Sequence, residues 1–246
     1  MEIIGLKGLP DVVPGTDLAE LIVKACEGQG LCLKDRDILI ITQKIVSKAE
    51  NRVVHVEDVI PSKHALEIAR LSQKDPMLVE VVLGEAKRIV KMVRDIIITQ
   101  TKHGFVCANS GVDTSNLEKG TFSILPIDPD NSARNLRSGL KERLGIDVAV
   151  VITDTFGRPW RTGQVDVAIG VAGLKPILNY RGKKDQYGNL LTVTEVAVAD
   201  ELASAGELVK GKSSRIPVAI VRGYVYEKGG GSARELVRKT SKDIFL

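Results

Sequence analysis

Val148-Ala149-Val150-Val151-Ile152-Thr153-Asp154-Thr155-Phe156-Gly157-Arg158-Pro159-Trp160-Arg161-Thr162-Gly163-Gln164-Val165-Asp166-Val167-Ala168-Ile169 is the stretch on which the fold is read. Its first five residues are an unbroken apolar run, the pattern of a buried strand. The run gives way at Asp154 and Thr155 to two glycines, a proline, the only Trp of the chain and two arginines. That segment reads as a loop rather than a plain hairpin, and Val165 to Ile169 then alternates as a second strand. A carboxylate and a hydroxyl at a strand end suit a hard cation, which prefers oxygen ligands. Arg158 and Arg161 suit phosphate or carboxylate through bidentate pairing. The competing reading of Asp154 is a turn cap.

Working outward, 246 residues with 43% apolar side chains allow one large domain or two small ones around a substantial core. A net charge of +4 suits an anionic small molecule and is not a nucleic-acid signature. Aromatic residues at 4% leave few stacking platforms for single strands. Cys26, Cys32 and Cys107 have no repeated spacing, so neither a disulfide framework nor a zinc site is expected. A reduced, cytoplasmic setting follows. Met1 begins a strand-like segment rather than a signal peptide, and no apolar run is long enough for a membrane span.

Gly8, Leu9, Pro10 and Asp11 form a tight loop after the strand Glu2 to Leu6. Thr16 is expected to cap a helix with Leu18, Leu21, Ile22 and Ala25 on one face. Asp37 to Thr42 reads as a buried strand, followed by Gln43 to Glu50. In a helix Lys44 and Lys48 share a face, which either meets a polyphosphate or is simply solvated. Ser62 to Gln73 is a capped helix; Asp75 caps the next, with Pro76 at its first position. Ile96 to Thr101 and Phe105 to Ala108 form a hairpin around Gly104. Asn109 to Asn116 is dense in small polar residues: a turn, or a ligand set built on Asp113. Asp130 or Ser132 is expected to cap a helix ending near Gly145. Leu191 to Val193 reads as a short strand and Glu195 to Val209 as a helix stopped at Gly211. A loop, Lys212 to Arg215, leads into the strand Ile216 to Val221. Gly229 to Gly231 reads as a flexible connection, with a final helix from Ser232.

Thr153 to Gly170, TDTFGRPWRTGQVDVAIG, resembles the signature of the coenzyme F-420:L-glutamate ligases, the gamma-glutamyl ligases of the deazaflavin cofactor pathway. The Gly-Leu-Pro loop, Ser47-Lys48-Ala49-Glu50, the Asn109 to Asn116 run, Pro126 to Ala133 and Ala199 to Ala205 are similar to the same family, from about Gly8 to Gly223. The resemblance implies an α+β or mixed α/β fold, with largely antiparallel sheets and packed helices. It also implies a single ligase domain over residues 1–246, undivided or made of two subdomains, in an intertwined homodimer. The chain ends where some bacterial relatives continue into a flavin-binding reductase domain.

The implied reaction joins L-glutamate to coenzyme F-420-0 with GTP, through an acyl phosphate, using one or two Mg²⁺ or Mn²⁺ ions and allowing K⁺. The resemblance makes Asp113, Asp154 and Thr155 metal ligands. It makes Gly8, Leu9, Pro10, Asp11, Gln43, Lys44, Lys48, Asn116, Gly211, Lys212 and Ser213 nucleotide contacts. Arg158 and Arg161 join Asp113 and Asp154 as catalytic candidates on charge and position. The sequence departs from the family at Gln43-Lys44, where many members have Ser-Thr, at Asn51 for a common Gly, and at Lys212, where some carry Gln. An ammonium cannot ligate a cation, so a second metal loses a ligand there. Two other classes stay open: a metal-dependent nucleotide phosphotransferase, and a non-catalytic basic anion-binding module. The module would have no use for acids at strand ends.

Overall fold

Apolar runs place the central strands and caps place the helices. The computed structural model describes residues 1–239 and residue 241. The chain opens with β1 (Glu2–Leu6), α1 (Leu18–Gly28), β2 (Ile38–Thr42), α2 (Gln43–Ala49) and β3 (Val53–His55). An outlying segment follows: α3 (Lys63–Ser72), α4 (Pro76–Glu85), β4 (Ala86–Val93), β5 (Ile96–Thr101), β6 (Val106–Ala108) and β7 (Thr121–Ser123). The rest is α5 (Pro129–Leu144), β8 (Ala149–Arg158), β9 (Arg161–Leu174), β10 (Leu178–Asn179), β11 (Glu195–Val196), α6 (Val198–Lys210), β12 (Val218–Arg222) and β13 (Lys228–Gly229).

The main sheet has the order β1-β12-β2-β8-β9-β13. Among the described residues only β2 and β8 pair in parallel, and every other strand pair is antiparallel. The fold is therefore mixed α+β with mostly antiparallel sheets, as expected. The parallel pair is apolar up to its last position, Thr42↔Thr153: Ile38, Leu39, Ile40, Ile41, Val150, Val151 and Ile152 are all at 0% exposure, as strands covered on both faces must be.

Two glycines show what covers those faces. An added Cβ at Gly206 of α6 would lie 2.7 Å from Ile40, and one at Gly170 of β9 would lie 2.3 Å from the carbonyl oxygen of Pro129 in α5. Ile40 shares a cross-strand row with Val151 and Val171, whereas Gly170 is next to Val171 in sequence. Successive residues face opposite ways, so α6 and α5 pack on opposite faces of the sheet. A smaller cluster, Ala65, Ile68, Ala69, Val79 and Ile97, holds α3 and α4 against β5.

Several local expectations are corrected. The Asp154 to Gln164 segment is not a loop: β8 and β9 form one long hairpin whose tip is Pro159-Trp160, with Trp160 at φ 59°. Asp154 pairs with Val167 inside the ladder and so caps no turn. Asp17, not Thr16, caps α1, and its side chain accepts from the Glu20 N–H. Asp128, not Asp130 or Ser132, caps α5, with Pro129 at the first turn. Asp130 is instead buried, accepting from the N–H groups of Val171 and Ala233. Leu191 to Val193 forms no strand; the short strand lies at Glu195–Val196, and α6 begins only at Val198. Gly229 and Gly231 pack against Lys175, the Leu174 carbonyl and Pro176 rather than forming a loose linker. From Ser232 the chain makes a short 3-10 turn, Ala233–Leu236. The remainder of the expected final helix includes residue 240 and residues 242–246, which lie outside the described residues. No helix among the described residues is long and apolar enough to cross a membrane.

Candidate active site

The register of the main sheet gathers the candidates at one end. Leu6, Val218, Ile41, Ile152 and Gly170 form a continuous cross-strand row. Beyond it, on one side, lie the Gly8 loop after β1, the start of α2 after β2 and the Asp154 end of β8. The Gly211 to Pro217 loop leading into β12, and Asp166 in β9, lie on the same side. These are the carboxyl ends of the parallel pair, where open α/β sheets bind ligands.

Two clusters stand there. In the first, Lys44 Nζ donates to Asp113 Oδ2 at 2.7 Å and to the Ser115 carbonyl at 2.6 Å. The Ser115 N–H donates to Asp113 Oδ1 at 2.7 Å, so Asp113 is both a turn former and an ion-pair partner. Burial alone would raise its carboxyl; Lys44 and the Ser115 donors outweigh that and hold it below the usual carboxylate range. Asp154 is pushed up to about 7. Removal from water dominates, and the Asp113 and Asp166 charges add to it, against the Thr155 N–H and Lys44. Asp113 and Asp154 are thus neighbours electrostatically. Cys107 of β6 lies close by, its thiol pushed up to about 12 by burial and then by Asp154, which leaves it inert as a nucleophile.

The second cluster stands on the other face of β8, because Asp154 and Thr155 are consecutive in a strand. Thr155 Oγ1 donates to Asp166 Oδ1 at 2.7 Å, across the pair Thr155↔Asp166. Lys210, 2% exposed, ends α6 and donates to Asp166 Oδ2 and Thr153 Oγ1, both at 2.8 Å. Burial pushes the Lys210 ammonium down, with Asp166 partly offsetting it. Lys212 Nζ reaches Thr155 Oγ1, Asp166 Oδ1 at 3.2 Å and Glu207 Oε1 at 2.6 Å. Burial would lower its ammonium, but Glu207 and Asp166 raise it.

The remaining candidates are placed around these clusters. Asn116 donates to the Lys212 carbonyl at 3.4 Å, joining the two loops. Gly211 has φ 57° and ψ −175°, a conformation essentially reserved for glycine, and it turns the chain so that Lys212 faces back to β8. Ser213 is exposed beside it. Gln43 is 1% exposed, and its Oε1 accepts from Ser47 at 2.7 Å. Lys48 is half-buried one turn beyond Lys44. Gly8 and Pro10 border a cavity of about 390 Å³ with Lys7, Leu21 and Gln29, while Leu9 packs against the core and Asp11 is exposed. Arg158 and Arg161 pair at the hairpin tip, roughly 13 Å along the strand from Asp154. They are not drawn onto the carboxylates, and Arg158 instead donates to the Thr162 carbonyl at 3.1 Å.

The donor chemistry fits a hard cation in part. Among the described residues no group of three or more His, Cys, Asp and Glu could hold a metal alone. Asp113 and Asp154 do supply two neighbouring carboxylates, and a Mg²⁺ site commonly needs only one or two beside waters and substrate phosphates. Asp154, whose carboxyl removal from water pushes up, is what a cation would relieve. On the Thr155 side, the Lys212 ammonium already sits among the oxygens of Thr155, Asp166 and Glu207.

Asp166, Lys210, Glu207 and Ser115 escaped the sequence reading. The one available signal was Asp166 itself, an acid in an otherwise apolar alternating strand. Lys210 gave none, because a lysine in the last helical turn is ordinary dipole complementation.

Together these features define a mixed α+β protein with a charged site at the carboxyl ends of its parallel strands. The chain belongs to the F420-0:Gamma-glutamyl ligase family, whose model matches residues 7–223. It is 46% identical to the coenzyme F420:L-glutamate ligase of Methanothermobacter thermautotrophicus, over 100% of this chain and 98% of that relative. It is 45% identical to the ligase of the same name from Methanocaldococcus jannaschii, over 100% of this chain and 96% of the relative. A third ligase of that name, from Methanopyrus kandleri, is 46% identical over 95% of this chain and 93% of its own length.

Proposed function

We propose that this protein joins L-glutamate to coenzyme F420-0, consuming GTP, in the cytoplasm. The names of its relatives support the ligase reaction. The observation that carries the reading is the gathering of Asp113, Asp154, Thr155, Lys44 and Lys212 at one sheet end.

Amide formation from a carboxylate needs an activated acyl group. A carboxylate oxygen of the acceptor attacks the γ-phosphorus of GTP, the bond to the bridging oxygen breaks, and GDP leaves. The glutamate amine then attacks the acyl carbon, loses a proton and expels inorganic phosphate. Lys44, Lys48 and Lys212 meet the phosphate oxygens, with the Gly8 to Asp11 loop, Gln43, Asn116, Gly211 and Ser213 around the nucleotide. Asp113 and Asp154 would hold Mg²⁺ or Mn²⁺, whereas the Thr155 hydroxyl, expected as a third ligand, lies on the other face of β8 and is engaged by Asp166 and Lys212. The cation would neutralise phosphate charge and orient the γ-phosphoryl group. The Lys212 ammonium among oxygens favours one divalent cation per site rather than two; K⁺ remains an accessory. Arg158 and Arg161, out at the hairpin tip, suit an anionic part of the acceptor remote from its reacting carboxylate.

The protein acts as a single ligase domain in a homodimer, which light scattering checks as twice the 26.6 kDa chain mass. Mass spectrometry of coenzyme F420-0 after incubation with protein, glutamate, GTP and Mg²⁺ or Mn²⁺ tests the reaction. A product heavier by one or more glutamyl groups is expected. A phosphorylated acceptor stable without glutamate would mark a phosphotransferase instead, and no GTP turnover would mark a binding module.

A further inference from the structure

Asp166 is 3% exposed and is gripped from every side. Its carboxylate accepts from Thr153 Oγ1 at 3.0 Å, Thr155 Oγ1 at 2.7 Å, Lys210 Nζ at 2.8 Å and Lys212 Nζ at 3.2 Å. Its own N–H donates to Glu207 Oε2 at 3.0 Å, and its carbonyl accepts from Ser204 Oγ at 2.9 Å. Main chain and side chain are therefore both fixed to α6, through residues one helical turn apart. Of the groups on this carboxylate, Lys212 is the most exposed, with its side chain 61% exposed. Lys210 lies at the opposite extreme, 2% exposed, and neutralises Asp166 from within.

We propose that Asp166 is a positioning residue that fixes the Lys212 ammonium for contact with nucleotide phosphate. A lysine on a loop otherwise spreads over many rotamers, and holding it in one costs the binding event conformational entropy. Asp166 meets that cost in the folded protein, through a short bond network anchored on a buried ion pair. The Thr155 hydroxyl donates to Asp166 and accepts from Lys212, so it ties the two side chains together. Outer partners of this kind typically change ligand affinity by about 10–100-fold when removed.

The inference rests on the proposed GTP-dependent reading, and its test uses nucleotide binding without glutamate or acceptor. Asp166→Asn alone strands Lys210 without a counter-ion and can fail to fold. The informative protein is therefore Asp166→Asn with Lys210→Met, which removes both buried charges, with folding checked by thermal melting. Calorimetry with GTP and Mg²⁺ should show affinity about tenfold weaker than wild type. Adding Lys212→Ala should then cost little more, although the same change in the wild type should cost a similar factor. In turnover, KM for GTP should rise while KM for glutamate stays. Wild-type GTP affinity in the folded double variant would overturn the proposal, as would a Lys212→Ala loss that is undiminished in its background. A wild-type protein that binds GTP but makes no glutamyl product would defeat the ligase reading and leave this binding test standing.

Discussion

Lys44 Nζ lies 2.7 Å from Asp113 Oδ2, with the lysine side chain only 12% exposed. The ammonium therefore stands against a carboxylate that the proposed function gives to a cation, while the same ammonium is wanted by phosphate. Divalent cation and nucleotide should move Lys44 off Asp113 together. Lys44→Gln should accordingly tighten Mn²⁺ binding in the absence of nucleotide and weaken GTP binding by roughly 1.5–3 kcal/mol, the range for a bond to a charged group. Paired Mn²⁺ and GTP titrations check the opposite signs. A loss in both would mean Lys44 supports Asp113 rather than competing for it.

Gly170 is where α5 touches the sheet, and a Cβ there would lie 2.3 Å from the Pro129 carbonyl. Gly170→Ala should destabilise by about 1–3 kcal/mol, as overpacking does. Gly157→Ala, on the same hairpin with nothing within 4 Å of the new Cβ, should be neutral or slightly stabilising, since it reduces the freedom of the unfolded chain. Urea melts of both proteins make the comparison, and equal effects would contradict the packing assigned to α5.

Two carboxyls should give opposite pH signatures. Burial raises Glu50 above its ordinary 4.5, against the Ser132 hydroxyl and Arg52. The folded state thus holds this proton more tightly, and the contribution is full below 4.5 and lost as pH rises through the raised value. Glu50→Gln should therefore gain stability relative to wild type on going from acid to neutral pH. Asp147 is held below its ordinary 3.8 by the Lys228 ammonium first and by Arg137. Its contribution is present above 3.8 and lost as pH falls through the lowered value. Asp147→Asn should lose stability relative to wild type at neutral pH, with the deficit closing in acid. Denaturation midpoints across pH for both variants test the two signs.

The sequence showed the interior more readily than the site. β2 and the start of β8 were legible because strands covered on both faces are unbroken apolar runs. The outer half of the β8–β9 hairpin was not. Thr155 to Gln164 lacks clean alternation, and its Pro159-Trp160 tip is not one of the glycine-containing pairs that signal a two-residue turn. The cap of α5 was misplaced although Pro129 marks it: a proline at the first helical position puts the cap one residue earlier, at Asp128. Asp113 and Asp154 could each be suspected, from the family resemblance and from the apolar runs that precede them. Their electrostatic proximity depends on how the chain around β6 packs against β8, and no sequence spacing encodes that packing. The Asp166–Lys210 pair was invisible for a similar reason: a buried ion pair needs only one residue on each of two elements and leaves no periodic trace.

The most direct test of the shared centre is the rate of glutamyl-product formation for Asp113→Asn, Asp154→Asn and the double variant, each measured against Mg²⁺ and Mn²⁺ concentration. An amide keeps the size of the carboxylate and removes its charge, so all three proteins should fold. If both carboxylates serve one metal centre, each single change should remove several kcal/mol of transition-state stabilisation. The double variant should then be little slower than either single, because residues acting as a unit are not additive. Fully additive losses, or wild-type metal dependence in either single variant, would contradict the shared centre and return one of the two aspartates to a structural role.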